Sequence, residues 1–207
     1  MSITNPDARP SPEASAQQAD ARDRTDMERL AAGQDAALND LMERHATPVF
    51  HFLCRMVGNE DDASDLAQET FARVFRARTS FRSNERFFTW LFTIAANLAR
   101  NHFRWRSRHP TISLDAETGE AEQTLGSTLP AGNLAPNEQA LAAERAQAVR
   151  AAVGKLPDDL REAIVLCEWE DLSVAEAATV LETTPKAVES RLYRARQLLR
   201  EKLKSWL

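Results

Sequence analysis

Residues 99–109 read ARNHFRWRSRH, with Arg100, Arg104, Arg106, Arg108, two histidines, Phe103 and Trp105, in a chain whose formal charge is -5. No acid occurs anywhere from 86 to 114. Arginines can follow a phosphate backbone, aromatic rings stack on bases and amides bond to base edges, so this mixture suits single-stranded nucleic acid. On a helix turning about 100° per residue, Arg86, Asn97, Asn101, Arg104 and Arg108 fall within about 40° of Trp90. Thr93 and Arg100 lie at one edge of that stripe. Phe88, Leu91, Phe92, Ala95, Ala99 and Phe103 cover the far side and form the expected core face.

A second set lies in LSVAEAATVLETTPKAVESRLYRARQLL, residues 172–199. Lys186, Glu189, Ser190, Tyr193 and Gln197 recur at helical spacing, flanked by Arg194 and Arg196. Polar side chains near a helix start can reach base edges in the major groove. Arginines further along can hold phosphates. A third set is Asp62, Asp65, Glu69 and Arg73, with Gln68 at its border, in NEDDASDLAQETFARVFRA. Spacing alone leaves two readings open here, a docking face for a basic protein and a solvated helix face.

The elements that must carry these sets are helices. Alanine, leucine, glutamate and arginine dominate and glycine is scarce, which favours an all-α fold. Ser173 with Glu176 forms a capping-box pattern, and Ala177, Ala178 and Leu181 follow as an inward face. Thr184 caps the next helix with Pro185 at its first position, and Val188, Leu192, Ala195 and Leu199 share one side. The pair is a helix-turn-helix. Asn59 is a cap for the acidic helix, with Ala63, Ala67, Phe71, Val74 and Phe75 inward. Thr25 with Glu28 is read as a capping box that opens the first helix. Residues 1–24 are rich in Pro, Ala, Ser, Asp and Gln without periodicity and are expected to be a disordered tail. Residues 110–137 carry Pro, Gly, Thr and the acids Asp115, Glu117, Glu120 and Glu122, and read as a linker. Two small helical domains are therefore expected, over 25–109 and 138–207, joined by a flexible acidic linker. That linker is expected to compete with DNA for the basic surfaces of the free chain.

Several function classes are set aside by composition. No apolar run reaches the length of a membrane span, and the start lacks the pattern of a signal peptide. No membrane insertion is expected. The 2 cysteines, Cys54 and Cys167, fit a reducing cytoplasm better than a disulfide framework. His51 and Cys54 stand at helical spacing, but no second pair completes a zinc site. No nucleophile–base pair, phosphate loop or paired catalytic carboxylates occur, so no catalytic residue, cofactor or metal is expected.

Four segments, DLAQETFARVF, FFTWLFTIAANLARNHFR, LPDDLREAIVL and LSVAEAATVLETTPKAVESRLYRAR, resemble, in order, those of bacterial RNA polymerase sigma factors of the extracytoplasmic-function group. The resemblance implies promoter-specific initiation with core RNA polymerase. It implies that Asp65, Gln68 and Glu69 dock on the β′ clamp helices and that the β flap is a further contact on core polymerase. The helix of Trp90 would open the −10 element and hold its non-template strand, with Asn97 near the flipped-out base and Asn101, Arg104 and Arg108 along the strand. Lys186, Glu189, Ser190, Tyr193 and Arg194 would face the −35 element. The linker would run through the RNA exit path. An anti-sigma factor is a further expected partner.

Two departures stand out. Glu189 lies where many relatives carry Lys or Arg. Its carboxylate repels phosphate and can accept from cytosine N4, so a guanine-type contact is not expected there. LETTP lacks the glycine that many relatives have in the turn. The alternative reading is a helix-turn-helix regulator that binds duplex DNA without polymerase. Run-off transcription with core polymerase separates the two.

Overall fold

The computed structural model describes residues 12–82, 84–109, 136–204 and 206. These form α1 (Pro12–Ala31), α2 (Ala37–Val57), α3 (Glu60–Arg76), α4 (Phe87–Arg108), α5 (Pro136–Gly154), α6 (Asp158–Glu168), α7 (Val174–Val180) and α8 (Pro185–Lys202), and no strand occurs among them. The linker acids Asp115, Glu117, Glu120 and Glu122 lie outside the described residues, as do residues 1–11.

The expected disordered tail is overturned over the part described. α1 begins at Pro12, and Thr25 lies inside it, donating its hydroxyl to the Ala21 carbonyl at 3.0 Å rather than capping. Ion pairing, which apolar periodicity does not register, ties this helix down. Asp23 is buried, accepts from Arg44 Nε at 2.9 Å and meets His45 Nε2 at 2.9 Å. Asp26 accepts from Arg44 Nη2 at 2.5 Å. Met27 and Leu30 then enter the core.

The other caps stand where the sequence places them. Asn59 accepts from the Asp62 N–H at 2.8 Å, and the Ser173–Glu176 box is complete. Thr184 accepts from the Ala187 N–H at 3.2 Å, ahead of Pro185. Thr184→Ala is expected to cost about 1 kcal/mol in thermal unfolding, with Thr184→Ser near neutral. Gly58 closes α2 with φ 74, donating to Cys54 O at 3.0 Å, and turns the chain into α3. The turn of LETTP solves its missing glycine differently. Glu182 itself takes the left-handed conformation, φ 50, which costs a non-glycine residue roughly 1–2 kcal/mol.

A single buried cluster runs through both halves. Val49, Phe52, Leu53, Val74, Phe87, Leu91 and Phe92 continue into Leu160, Ile164, Val165, Val180 and Val188. α4 packs on α2 and α3 with the expected apolar side and also on α7. This second contact lies on the Arg100 side of the helix, where Thr89 and Ala96 are buried beyond the expected core face.

Candidate nucleic-acid interface

α4 positions the first set much as its periodicity predicts. Trp90 is half-buried, its ring 5.2 Å from that of Phe81 and 6.1 Å from that of Phe87. Beside it opens a cleft of about 450 Å³ lined by Arg73, Arg76, Ala77, Ser80, Trp90, Ile94 and Asn97. Two guanidiniums, an indole, a hydroxyl and an amide around one shallow opening can cradle a base and its phosphate. Asn101, Arg104 and Arg108 continue outward along α4 and are exposed. Arg104 Nη1 donates to Asn101 Oδ1 at 3.5 Å, and Arg108 Nε to the Arg104 carbonyl at 3.0 Å. Phe103 packs on the core, and Arg106 turns toward Asp62 at 3.9 Å.

The cleft brings in Arg76 and Ser80, which the sequence reading did not single out. Arg76 ends α3 and Ser80 follows it, and their meeting with Trp90 depends on how α3 and the segment after it pack on α4, which no local periodicity encodes. Arg73, assigned to the acidic face of α3, also turns into the cleft.

On α3, Asp65 and Gln68 are exposed. Glu69 is engaged: it accepts from Arg73 Nε at 2.9 Å and Arg76 Nη2 at 2.8 Å. These hydrogen bonds hold its carboxyl below its ordinary value, so it is ionised at neutral pH. Glu69 thereby also orients the two arginines of the cleft.

On α8, Val188, Leu192 and Ala195 are buried, and Lys186, Glu189, Ser190, Tyr193 and Arg194 all lie on the exposed side. Tyr193 is 65% exposed, and its hydroxyl accepts from Gln197 at 2.8 Å. Arg194 stands 3.9 Å from Asp159. All five expected −35 residues therefore share one open face.

Among the described residues, no three His, Cys, Asp or Glu side chains are grouped to hold a metal ion, and no helix is long and apolar enough to cross a membrane. Burial pushes the Cys54 thiol up to about 11, which keeps it protonated and unreactive.

Residues 41–109 match the family described as Sigma-70 region 2, and 146–199 match Sigma-70, region 4. The RNA polymerase sigma-H factor of Pseudomonas aeruginosa is 34% identical over 181 residues, covering 87% of this chain and 93% of that protein. The chain belongs to the sigma-70 family. It falls in the extracytoplasmic-function group, with SigW of Bacillus subtilis 32% identical over 86% of this chain and 95% of the relative. The sigma-E factor of Escherichia coli is 35% identical, covering 86% and 92%. This sigma factor thus directs promoter-specific transcription with core RNA polymerase. Among solved structures, CnrH in complex with the cytosolic domain of CnrY matches with TM-score 0.64 and 28% identity, covering 89% of this chain and 98% of that one. RpoE in complex with the anti-sigma factor NepR from Bartonella quintana matches with TM-score 0.61 and 25% identity, covering 80% and 96%.

Proposed function

We propose that the cleft beside Trp90 takes a base of the −10 element. Asn97 contacts its edge, while Asn101, Arg104 and Arg108 carry the non-template strand onward along α4. The observation that supports this best is the meeting of Arg73, Arg76, Trp90 and Asn97 around one opening, continuous with an acid-free basic helix end. Lys186, Glu189, Ser190, Tyr193 and Arg194 of α8 read the −35 element. Asp65, Gln68 and Glu69 of α3 dock on the β′ clamp helices, and the C-terminal domain meets the β flap. Linking two weak DNA contacts through polymerase raises their joint affinity without new contacts at either. The factor acts in the cytoplasm without catalytic activity of its own. An anti-sigma factor belongs among its partners, as NepR does for the Bartonella quintana relative.

Run-off transcription with core polymerase, with and without the protein, tests the whole reading. The roles along α4 divide further. Asn97→Ala is expected to change base preference at one −10 position, by roughly 1–3 kcal/mol of discrimination. Arg104→Ala is expected to weaken open complexes on all promoters alike and to lower their salt dependence. Equal effects of the two variants across a −10 library would refute this division.

A further inference from the structure

Trp105 is 53% exposed, whereas the other Phe and Trp rings of α4 are buried or half-buried. A single exposed ring on a protein surface is ordinary, but this one is paired. The His109 ring stacks on it, with centroids 5.1 Å apart and planes 24° from parallel. The His109 N–H donates to the Trp105 carbonyl at 2.9 Å, and its ring Nδ1 lies 3.1 Å from the same oxygen. The last turn of α4 therefore holds both rings in place before any ligand arrives, which lowers the ordering cost of binding one.

The surroundings say what such a pair can hold. Trp105 stands one turn beyond Asn101, about 60° around the helix from Trp90. Arg104 and Arg108 lie on the other flank of Asn101, so the helix end presents guanidiniums to one side and an indole to the other. A single strand fits this division, its phosphates following the arginines and a base turned away from them meeting the ring. Arg106 leans toward Asp62 at 3.9 Å, and His102 faces the same carboxylate at 3.4 Å. Among the described residues, guanidiniums lie over the rings of Phe75, Phe103 and Trp169 and none over that of Trp105. The opposite edge of α4 is the seam with the helix-turn-helix. There Arg86 is ion-paired with Glu176, and Asn97 Nδ2 donates to Glu182 Oε1 at 3.5 Å. Arg100 Nη2 donates to the Val180 carbonyl at 3.1 Å, and its Nε lies 3.5 Å from Glu162 Oε1. Trp105 is about 140° around the helix from Arg100 and so stays on the open side. A rise of about 1.5 Å per residue sets it about 22 Å along the axis from Trp90, too far for both rings to serve one base.

We propose that Trp105 and His109 form a second stacking platform, which takes an unpaired base of the promoter strand separately from the cleft beside Trp90. The occupant is DNA rather than a protein because the rings are set among Arg104, Arg106 and Arg108 on a helix that carries no acid. Every base has a face to stack, so the platform adds affinity without adding a sequence requirement. The inference rests on the reading of α4 as the strand-binding surface and extends it to residues off the stripe.

The test uses the holoenzyme, assembled from the full chain and core polymerase, and a promoter fragment that supports run-off transcription, opened by mismatches through the −10 element. The fluorescent adenine analogue 2-aminopurine, which stacking quenches, is placed at one non-template position at a time. One position away from the base in the cleft is expected to be quenched through Trp105. Trp105→Ala is expected to restore its fluorescence and to weaken binding of the fragment roughly tenfold, while Trp105→Phe keeps most of the quenching and affinity. The salt dependence of binding is expected to keep the wild-type slope in Trp105→Ala and to fall in Arg104→Ala, which alone loses a phosphate contact. Both Trp105 variants are expected to unfold near the wild-type midpoint, because the ring lies in solvent. Unchanged fluorescence and affinity in Trp105→Ala overturn the platform. So does weaker binding of core polymerase with the strand unaffected, which would put a protein on the rings. Arg104→Ala separates the platform from the reading beneath it. If Arg104→Ala weakens the complex and Trp105→Ala does not, only the platform fails. If neither weakens it, the reading of α4 as the strand-binding surface fails, and the platform with it.

Discussion

Replacing Arg161 by alanine is expected to lower stability by about 3–5 kcal/mol, measured as a reduced urea midpoint with a near-constant slope. Arg161 is 9% exposed and sits where the two halves meet. Its Nη1 donates to Met56 O at 2.8 Å, and its Nη2 to Gly154 O at 2.8 Å and Leu156 O at 2.9 Å. The guanidinium also lies 5.7 Å from the centroid of the Phe103 ring. Alanine leaves these carbonyls without their donor, and a buried acceptor that loses its partner costs about 1–3 kcal/mol. The emptied volume adds a packing loss. Lysine keeps the charge but lacks the planar fork that serves three carbonyls from two nitrogens, so Arg161→Lys is expected to recover less than half of the loss. Full recovery by lysine would mean that charge, rather than the fork, matters at this position.

Arg161 also marks the limit of what the sequence discloses. In LPDDLREAIVL it reads as a polar residue on a helix, and α6 buries Arg161 and Glu162 together with its apolar residues. Part of the burial comes from Met56 of α2 and Phe103 of α4, far away in the chain, and no local pattern announces it. The same holds for Asp23, whose partners Arg44 and His45 lie on the next helix. Where a feature depends on nearest neighbours it was legible: the caps at Asn59, Ser173 and Thr184, the apolar side of α4, the open face of α8. Where it depends on the packing of one half on the other it was not. The stripe of Arg86, Asn97 and Arg100 shows both cases at once. Its composition and angular spread follow from a turn of about 100° per residue, while its cover of Glu176, Val180 and Glu182 required the structure.

The seam carries a pH dependence whose sign distinguishes burial from pairing. Glu162 is 5% exposed, and its Oε1 has no hydrogen-bond partner. Burial pushes its carboxyl up to about 7, with Asp158 and Asp159 adding to the rise and Arg100 and Arg191 opposing it. A protonated carboxyl suits this site because it carries no charge into the interior. In the unfolded chain Glu162 ionises near its ordinary 4.5. The native state then binds more protons than the unfolded state between about 4.5 and 7, and stability falls as pH rises through that window. The loss amounts to about 3 kcal/mol and is complete above the folded value. Glu170, pushed up to about 7 by burial against the pull of Arg55, acts in the same direction. The Arg55 guanidinium is itself shifted down by burial, so both members of that pair are disfavoured in their charged forms. Glu162→Gln is neutral at every pH and leaves Glu170 in place. Its stability relative to wild type is expected to be near zero at pH about 4, to rise through the window, and to level at about 3 kcal/mol in its favour near pH 8. Urea unfolding across that range measures the difference curve directly. A variant less stable than wild type at pH 8 would mean that the Arg100–Glu162 attraction outweighs desolvation, and the seam would then tighten with rising pH instead of loosening.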